Sequence, residues 1–371
     1  MIDILYNYSL FVGWIALFTF GSCLLMGKAP RKEAYHAYNR SRRIMGAAFI
    51  LFGVQILLQW LFEFRTFEPH IASAMNITCF YMEAILFGMS FISLLNTSYI
   101  TRRRVVSDFG KWAACMAALW SATLGLEGTP RTVIQITAAV FFLWQACLII
   151  RIFFRTYHRA KDKVDNYYAD NVNGFVKWLY KSTFGIIFFG LTSAIIAFAP
   201  KWGIVIQMTA GIFMFFYIFN SFMNYLLNYD SVKRAATNPP DEDSIPYKKG
   251  QGEAYHKKIE VALHQWVASE GFLENGITIE QLANLIPSNR TYLSNFINTE
   301  FKCSFSSWIN NLRMEYAKRL LIDHPKMPIE QIACDSGFSS SCKFGKRFKE
   351  IENMTASEWR TQQLIKKATE S

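Results

Sequence analysis

Ile329-Glu330-Gln331-Ile332-Ala333-Cys334-Asp335-Ser336-Gly337-Phe338 decides how the C-terminal third of the chain is read. Its first five residues repeat Ile279-Glu280-Gln281-Leu282-Ala283, 50 positions earlier. In each copy the apolar residues stand three and four apart, which puts them on one face of a helix. Ala283 and Ala333 occupy equivalent places, as expected where two helices cross closely. Thr278 and Gln281 have capping-box spacing ahead of the first copy. Pro328 suits the first helical position of the second.

Outward from these copies the same pattern continues. Pro287-Ser288 marks the next helix start, and Arg290–Ile297 keeps Leu293, Phe296 and Ile297 for packing while leaving Arg290, Thr291, Ser294 and Asn295 free. After the second copy, Gly337 sits in a tight turn that calls for positive φ. Ser339 can cap the following helix, in which Phe344 and Phe348 turn inward and Ser341, Cys342, Lys343 and Lys346 face out. Aligning Leu293 with Phe344 takes an offset of 51, so the second turn is one residue longer. Amphipathic helices are expected at Ala254–Ala268 and Phe305–Ile322, and no strand pattern is convincing. A helix, a short turn and a helix, twice over with a linking helix, presents two recognition helices about one DNA turn apart.

The run from Ile332 through Gly337-Phe338, Phe344 and Phe348-Lys349 resembles the signature of the AraC/XylS family of transcription regulators. The likeness covers about residues 255–363, including Tyr292-Leu293-Ser294, Asn311-Leu312-Arg313 and Leu320-Leu321, and is similar above all to the reader domains of bacterial sensor proteins. The resemblance implies binding to double-stranded DNA, with base-facing positions at Arg290, Thr291, Ser294 and Asn295 in the first motif. In the second they are Ser341, Cys342, Lys343 and Lys346; Lys349 is read apart from these, as a phosphate contact or a solvated side chain. Arginine can pair bidentately with guanine and asparagine with adenine; either can instead hold phosphate, and Cys342 can instead pack. The family usually ends Gly-x-Thr-Pro-x-x-Tyr-Arg, where this chain has Asn353, Thr355, Ala356, Trp359 and Arg360. Asparagine tolerates the left-handed region, and Thr355-x-x-Glu358 supplies a capping box, so the last helix start survives without proline. Set against DNA binding, the plainer reading of this segment is a helical bundle with a solvated basic face.

Upstream, seven apolar runs occur: Ile4–Met26, Ile44–Phe62, Ile71–Asn96, Trp112–Leu126, Thr132–Ile150, Ser182–Ala199 and Trp202–Leu227. A spanning helix needs roughly 20 apolar residues, so the 15-residue fourth run is the weakest. The loops 27–43, 101–111 and 151–181 together hold 17 Lys/Arg, and the alternating loops hold only Arg65, Arg131 and Lys201. By the positive-inside bias the N-terminus lies outside and, after seven spans, the C-terminus inside.

The formal charge of +11 is not a nucleic-acid signature: residues 1–232 hold 20 Lys/Arg against 11 Asp/Glu, residues 233–371 hold 19 against 17. Glu83, in mid-run, is a candidate sensing residue because a carboxylate there is costly; its plainer reading is a protonated or hydrogen-bonded group. Asn220 and Asn224 share one face with Asn228 and are read either as interhelical contacts or as a face that carries movement to the linker. Gln55, Gln59 and Gln145 are further polar positions that could line a pocket.

Residues 230–252 contain Pro239, Pro240 and Pro246, which exclude a continuous helix and point to control through spacing, pairing or exposure of readers rather than through a stiff rod. The seven cysteines form no CxxC pair. No nucleotide loop, metal cluster or nucleophile–base constellation is present, so no catalytic residue, metal or cofactor is expected. The expectation is an all-α chain: a seven-transmembrane-helix sensor domain over 1–229, a flexible linker over 230–252 and a double helix-turn-helix domain over 253–371. It would act as a membrane-embedded one-component regulator in the bacterial inner membrane with a cytoplasmic reader. Its partners would be DNA, the lipid bilayer, an unidentified signal ligand and a second copy. A transporter or channel with a DNA-binding tail, and a reader released by proteolysis of the linker, are the alternatives.

Overall fold

A computed structural model describes residues 1–27, 35–169, 174–196, 200–237, 253–286 and 288–370. The chain divides into two compact units, Met1–Ala160 with Phe175–Ala236, and Lys161–Gly174 with Thr237–Ser371. Both are helical.

The first unit contains α1 (Ile2–Met26), α2 (His36–Phe62), the single turn α3 (Phe64–Phe67), α4 (Pro69–Leu95), α5 (Arg102–Gly125), most of α6 (Thr129–Asp165), α7 (Gly174–Ile196) and α8 (Lys201–Thr237). Long apolar runs adopt this form because a helix satisfies its own backbone groups without water. Helices α1 and α2 approach backbone to backbone. A Cβ on Gly21 would lie 2.9 Å from the Gly46 carbonyl oxygen, and one on Gly46 would lie 2.9 Å from that of Gly21. Such small-residue crossings carry helix association where the surroundings are as apolar as the side chains.

Hydrogen bonds tie α2 to its neighbours. The Ser41 hydroxyl donates to the Ser90 carbonyl at 2.7 Å and the Ser90 hydroxyl to the Ser41 carbonyl at 3.0 Å. Gln55 and Gln59 both donate to Asn76 Oδ1, at 2.9 and 2.6 Å. The Tyr38 hydroxyl donates to the Phe222 carbonyl at 3.1 Å.

Among the described residues five helices, not seven, are long and apolar enough to cross a membrane: α1, α2, α4, α6, and α8 from Lys201 to Leu226. The fourth expected run falls short for a physical reason. Helix α5 opens with Arg102, Arg103 and Arg104 and includes Asp108 and Lys111, which leaves it a short apolar stretch. Helix α7 carries Lys177 and Lys181 in its first turns, and residues 197–199, which end the sixth expected run, lie outside the described residues. Helix α8 continues to Thr237, through the first residues of the expected linker, and 238–252 also lie outside the described residues.

The second unit holds α9 (Glu253–Ala268), a 3-10 turn at Gly271–Leu273, α10 (Ile279–Leu285), α11 (Arg290–Glu300), α12 (Phe305–Asp323), α13 (Ile329–Asp335), α14 (Ser341–Glu352) and α15 (Ala356–Glu370). Its helix starts follow the capping residues. Thr278 and Gln281 make the reciprocal capping box of α10. Asn289 accepts from the Tyr292 N–H at 2.8 Å to open α11. Ser340, rather than Ser339, caps α14 by accepting from the Lys343 N–H at 3.3 Å. Pro328 precedes α13 instead of being its first residue. Gly337 adopts φ +78° and Asn353 φ +57°, the left-handed positions expected of them.

Two cores result. Leu282, Ala283, Leu293, Phe296 and Ile297 are buried in the first motif. Ile332, Ala333, Phe338, Phe344 and Phe348 close on Met314, Ala317 and Leu321 of α12 and on Trp359 of α15 in the second.

Candidate nucleic-acid interface

Burying Leu293, Phe296 and Ile297 leaves the opposite side of α11 with Arg290, Thr291 and Ser294 half-buried and Asn295 exposed. On α14, Phe344 and Phe348 are buried, and Ser341, Cys342, Lys343, Lys346 and Lys349 are all exposed. Each of the nine residues expected at the interface therefore lies on one of the two helices that follow a turn, off the core side. Lys343 Nζ donates to the Ser339 hydroxyl at 3.0 Å, and Arg347 pairs with Glu350 at 3.6 Å.

Helix α12 holds the two motifs through a residue that reads as a solvated charge. Arg313 is fully buried. Its Nε donates to the Phe272 carbonyl at 2.7 Å and its Nη2 to the Glu274 carbonyl at 2.6 Å. A buried guanidinium persists where carbonyls take up its fixed donors. Only the Asn311-Leu312-Arg313 element of the family likeness hinted at this; helical periodicity did not. At the far end, Arg360 Nη1 donates to the Met327 carbonyl at 2.6 Å and fixes α15 against the entry to α13.

A second feature had no signal in the sequence. Residues Tyr167–Ala169, just beyond α6, lie along the entry to α10. Tyr168 and Thr278 form an isolated antiparallel bridge, with the Ala169 N–H donating to the Ile277 carbonyl at 3.0 Å and the Ile279 N–H to the Tyr167 carbonyl at 2.9 Å. The Ala169 carbonyl accepts from the Ser306 hydroxyl at 2.9 Å and Asn310 Nδ2 at 3.1 Å. The buried Tyr167 donates its hydroxyl to the Glu280 carboxylate, and its ring lies 5.7 Å from the Arg290 guanidinium carbon. Burial first, then the bond to Glu280, pushes the Tyr167 hydroxyl well above the usual phenol range.

Residues 282–362 match the family model described as a helix-turn-helix domain, from within α10 to within α15. They form an AraC-type helix-turn-helix domain. No curated protein and no solved structure matches the chain. The AraC-type domain is a DNA-binding one, and it shares its chain with five membrane-length apolar helices.

The candidate sensing residues lie in the other unit and are not gathered into one cluster. Glu83 is buried on α4, with one carboxylate oxygen lacking a hydrogen-bond partner. Asn220 and Asn224 are exposed on α8. Gln145 is buried on α6, away from solvent. Among the described residues no group of three or more His, Cys, Asp or Glu could hold a metal ion.

Proposed function

We propose that this chain is a one-component transcription regulator embedded in the bacterial inner membrane, whose helical bundle senses a signal and whose AraC-type domain binds promoter DNA while tethered. The observation that carries this reading is the pair of outward-facing helices α11 and α14 on the same polypeptide as helices of membrane length. In this reading Arg290 pairs with guanine and Asn295 with adenine, flanked by Thr291 and Ser294. Ser341, Cys342, Lys343 and Lys346 read the second half of the site, and Lys349 holds phosphate. Two copies side by side in one membrane plane would occupy neighbouring half-sites at high effective concentration. Glu83, as a buried carboxylate with an unpartnered oxygen, is the residue on which we place the sensing chemistry, with Asn220 and Asn224 on the path towards the linker.

The placement of the reader on the same side of the bilayer as the loop after α6 has support beyond loop charge. Tyr167–Ala169 hydrogen-bonds to the reader, so both must lie on the same side of the bilayer. Two crossings between them, α7 and α8, satisfy that; one alone does not. At about 1.5 Å per residue, the 23-residue α7 reaches across if Lys177 and Lys181 extend to the interface.

Genome-wide mapping of DNA bound by the native full-length protein tests the reading. Discrete sites lost on Lys343→Ala/Lys346→Ala are expected; a wild-type protein that occupies no sites would sink it. A phosphatase reporter fused after Pro200 should be active, and one fused after Arg104 inactive; the reverse refutes the topology.

A further inference from the structure

We propose that Tyr167–Ala169 is a clasp that holds the first helix-turn-helix in a low-affinity state, and that α6 is the rod by which the bundle opens it. The proposal rests on the DNA-reading function above and adds the element that controls it.

Four observations converge. First, the contact is a main-chain pairing at the start of a DNA-reading motif, not a brush of side chains. Its two backbone hydrogen bonds flank Thr278, and one of them occupies the N–H of Ile279, the first residue of α10. That N–H is among the orphan donors of a helix start, so the segment adds to the cap of α10 while pairing as a strand would. Second, the Ala169 carbonyl is held by Ser306 and Asn310 of α12, the helix that joins both motifs. Third, Tyr167 reaches Glu280 of α10 and the first residue of α11, Arg290. A guanidinium held over an aromatic face loses that attraction before it can turn to a base. Fourth, the route back is stiff. α6 is one uninterrupted helix from Thr129 to Asp165, and only Asn166 separates its end from Tyr167. A shift or rotation of that helix acts on the clasp directly.

Chemically, the partner for this face of the reader is therefore a segment of the same chain: three backbone hydrogen-bonding groups, with an aromatic ring carrying a hydroxyl on one side. DNA engagement by Arg290 and docking of Tyr167 compete for one guanidinium. A membrane signal that draws α6 away shifts the balance towards DNA; by linkage, DNA binding favours the undocked clasp to the same extent.

The bridge offers a reversible lock. Tyr168 and Thr278 are the non-hydrogen-bonded pair of an antiparallel ladder, the pair whose Cα atoms come close enough for a disulfide. The full-length chain carrying Tyr168→Cys and Thr278→Cys, in lipid nanodiscs, would be titrated with a DNA fragment recovered by the genomic mapping, oxidised and then reduced. Wild type treated with the same oxidant controls for the seven native cysteines. The cross-link should form and the oxidised protein should bind several-fold more weakly than the reduced one. Because Thr278→Cys also removes a helix cap, a second variant is needed: Tyr167→Ala should bind about two- to thirtyfold more tightly than wild type, the range spanned by a cation–π contact. Failure to cross-link, equal or tighter binding when locked, or weaker binding by a folded Tyr167→Ala chain would each overturn the clasp. A wild-type chain that binds no DNA overturns the DNA-reading function itself, and the clasp with it.

Discussion

In the first motif the helix after the turn begins with Arg290 against the Tyr167 ring and keeps Thr291 and Ser294 half-buried; in the second, α14 exposes Ser341, Cys342, Lys343, Lys346 and Lys349 to solvent. Two segments that open with nearly the same five residues thus differ in what covers them and in charge. The first carries one arginine in its recognition helix, the second a row of lysines. In the proposed reading the lysines of the second motif add non-specific phosphate attraction to its base contacts, whereas the base contact of the first motif depends on release of Arg290 by Tyr167. Regulation applied to the first motif alone would then change specific occupancy without losing the general hold on DNA.

Stability is where the comparison can be broken most severely. Phe344 is fully buried between Phe338, at 5.2 Å between ring centroids, and Phe348, at 5.5 Å. Phe344→Ala should cost about 3–5 kcal/mol and abolish protection of α13 and α14 amides before those of α10 and α11, as hydrogen exchange would report. Simultaneous loss in both motifs would mean that α12 makes them one cooperative unit. Gly337→Ala comes next. That residue has φ +78°, and a Cβ there would lie 2.6 Å from the Leu273 carbonyl oxygen, which is backbone and cannot swing aside. A cost of about 1–3 kcal/mol is expected, seen as a lower urea midpoint at unchanged slope.

DNA binding separates the motifs more finely. Arg290→Ala should weaken discrimination at one base pair by about 1–3 kcal/mol, with little change in salt dependence. Lys349→Ala should lower affinity for every sequence alike and reduce the slope of log affinity against log salt by about 0.9. Titrations at several salt concentrations, on matched and single-mismatch duplexes, distinguish the two patterns. An Arg290→Ala variant that loses salt slope but keeps discrimination would assign that arginine to phosphate.

Much of this was legible in the residues and part was not. The capping box at Thr278, the turn at Gly337 and the inward Phe344 and Phe348 are local: each depends on a side chain's own backbone or on neighbours three or four residues away. The N-cap of α14 slipped by one because Ser339, Ser340 and Ser341 all have the chemistry and only the turn geometry selects Ser340. Five of the seven expected spans are long and apolar enough among the described residues; the fourth run falls short because α5 begins among arginines and keeps Asp108 and Lys111. The burial of Arg313 was not legible because periodicity carries no sign of the carbonyls of Phe272 and Glu274 that receive it. The clasp was invisible for a stronger reason. One bridge has no period, and its partners stand more than 100 residues apart in a stretch that reads as loop.

The smallest expected effect tests whether the two motifs also differ in their response to acid. Both use a capping box, but the first closes with a neutral amide, the Thr278 N–H donating to Gln281 Oε1 at 2.8 Å, and the helix that closes the second motif closes with a carboxylate. The Thr355 N–H donates to Glu358 Oε2 at 2.8 Å and the Glu358 N–H to the Thr355 hydroxyl at 3.3 Å. The backbone bond from Thr355, above all, holds the Glu358 carboxyl below its ordinary value of 4.5. A carboxyl depressed in the folded state contributes stability above its unfolded pKa and loses it as pH falls through the folded one. Acidification below about 4.5 should therefore fray the start of α15 while leaving the start of α10 in place. Exchange of the Thr355 and Thr278 amides, followed from pH 6 to pH 3, should show acceleration beyond the intrinsic rate only at Thr355. Glu358→Gln should remove that difference, since an amide accepts the same bond without titrating. Equal acid sensitivity at both boxes would mean that the motifs unfold together and that the cap charge decides nothing.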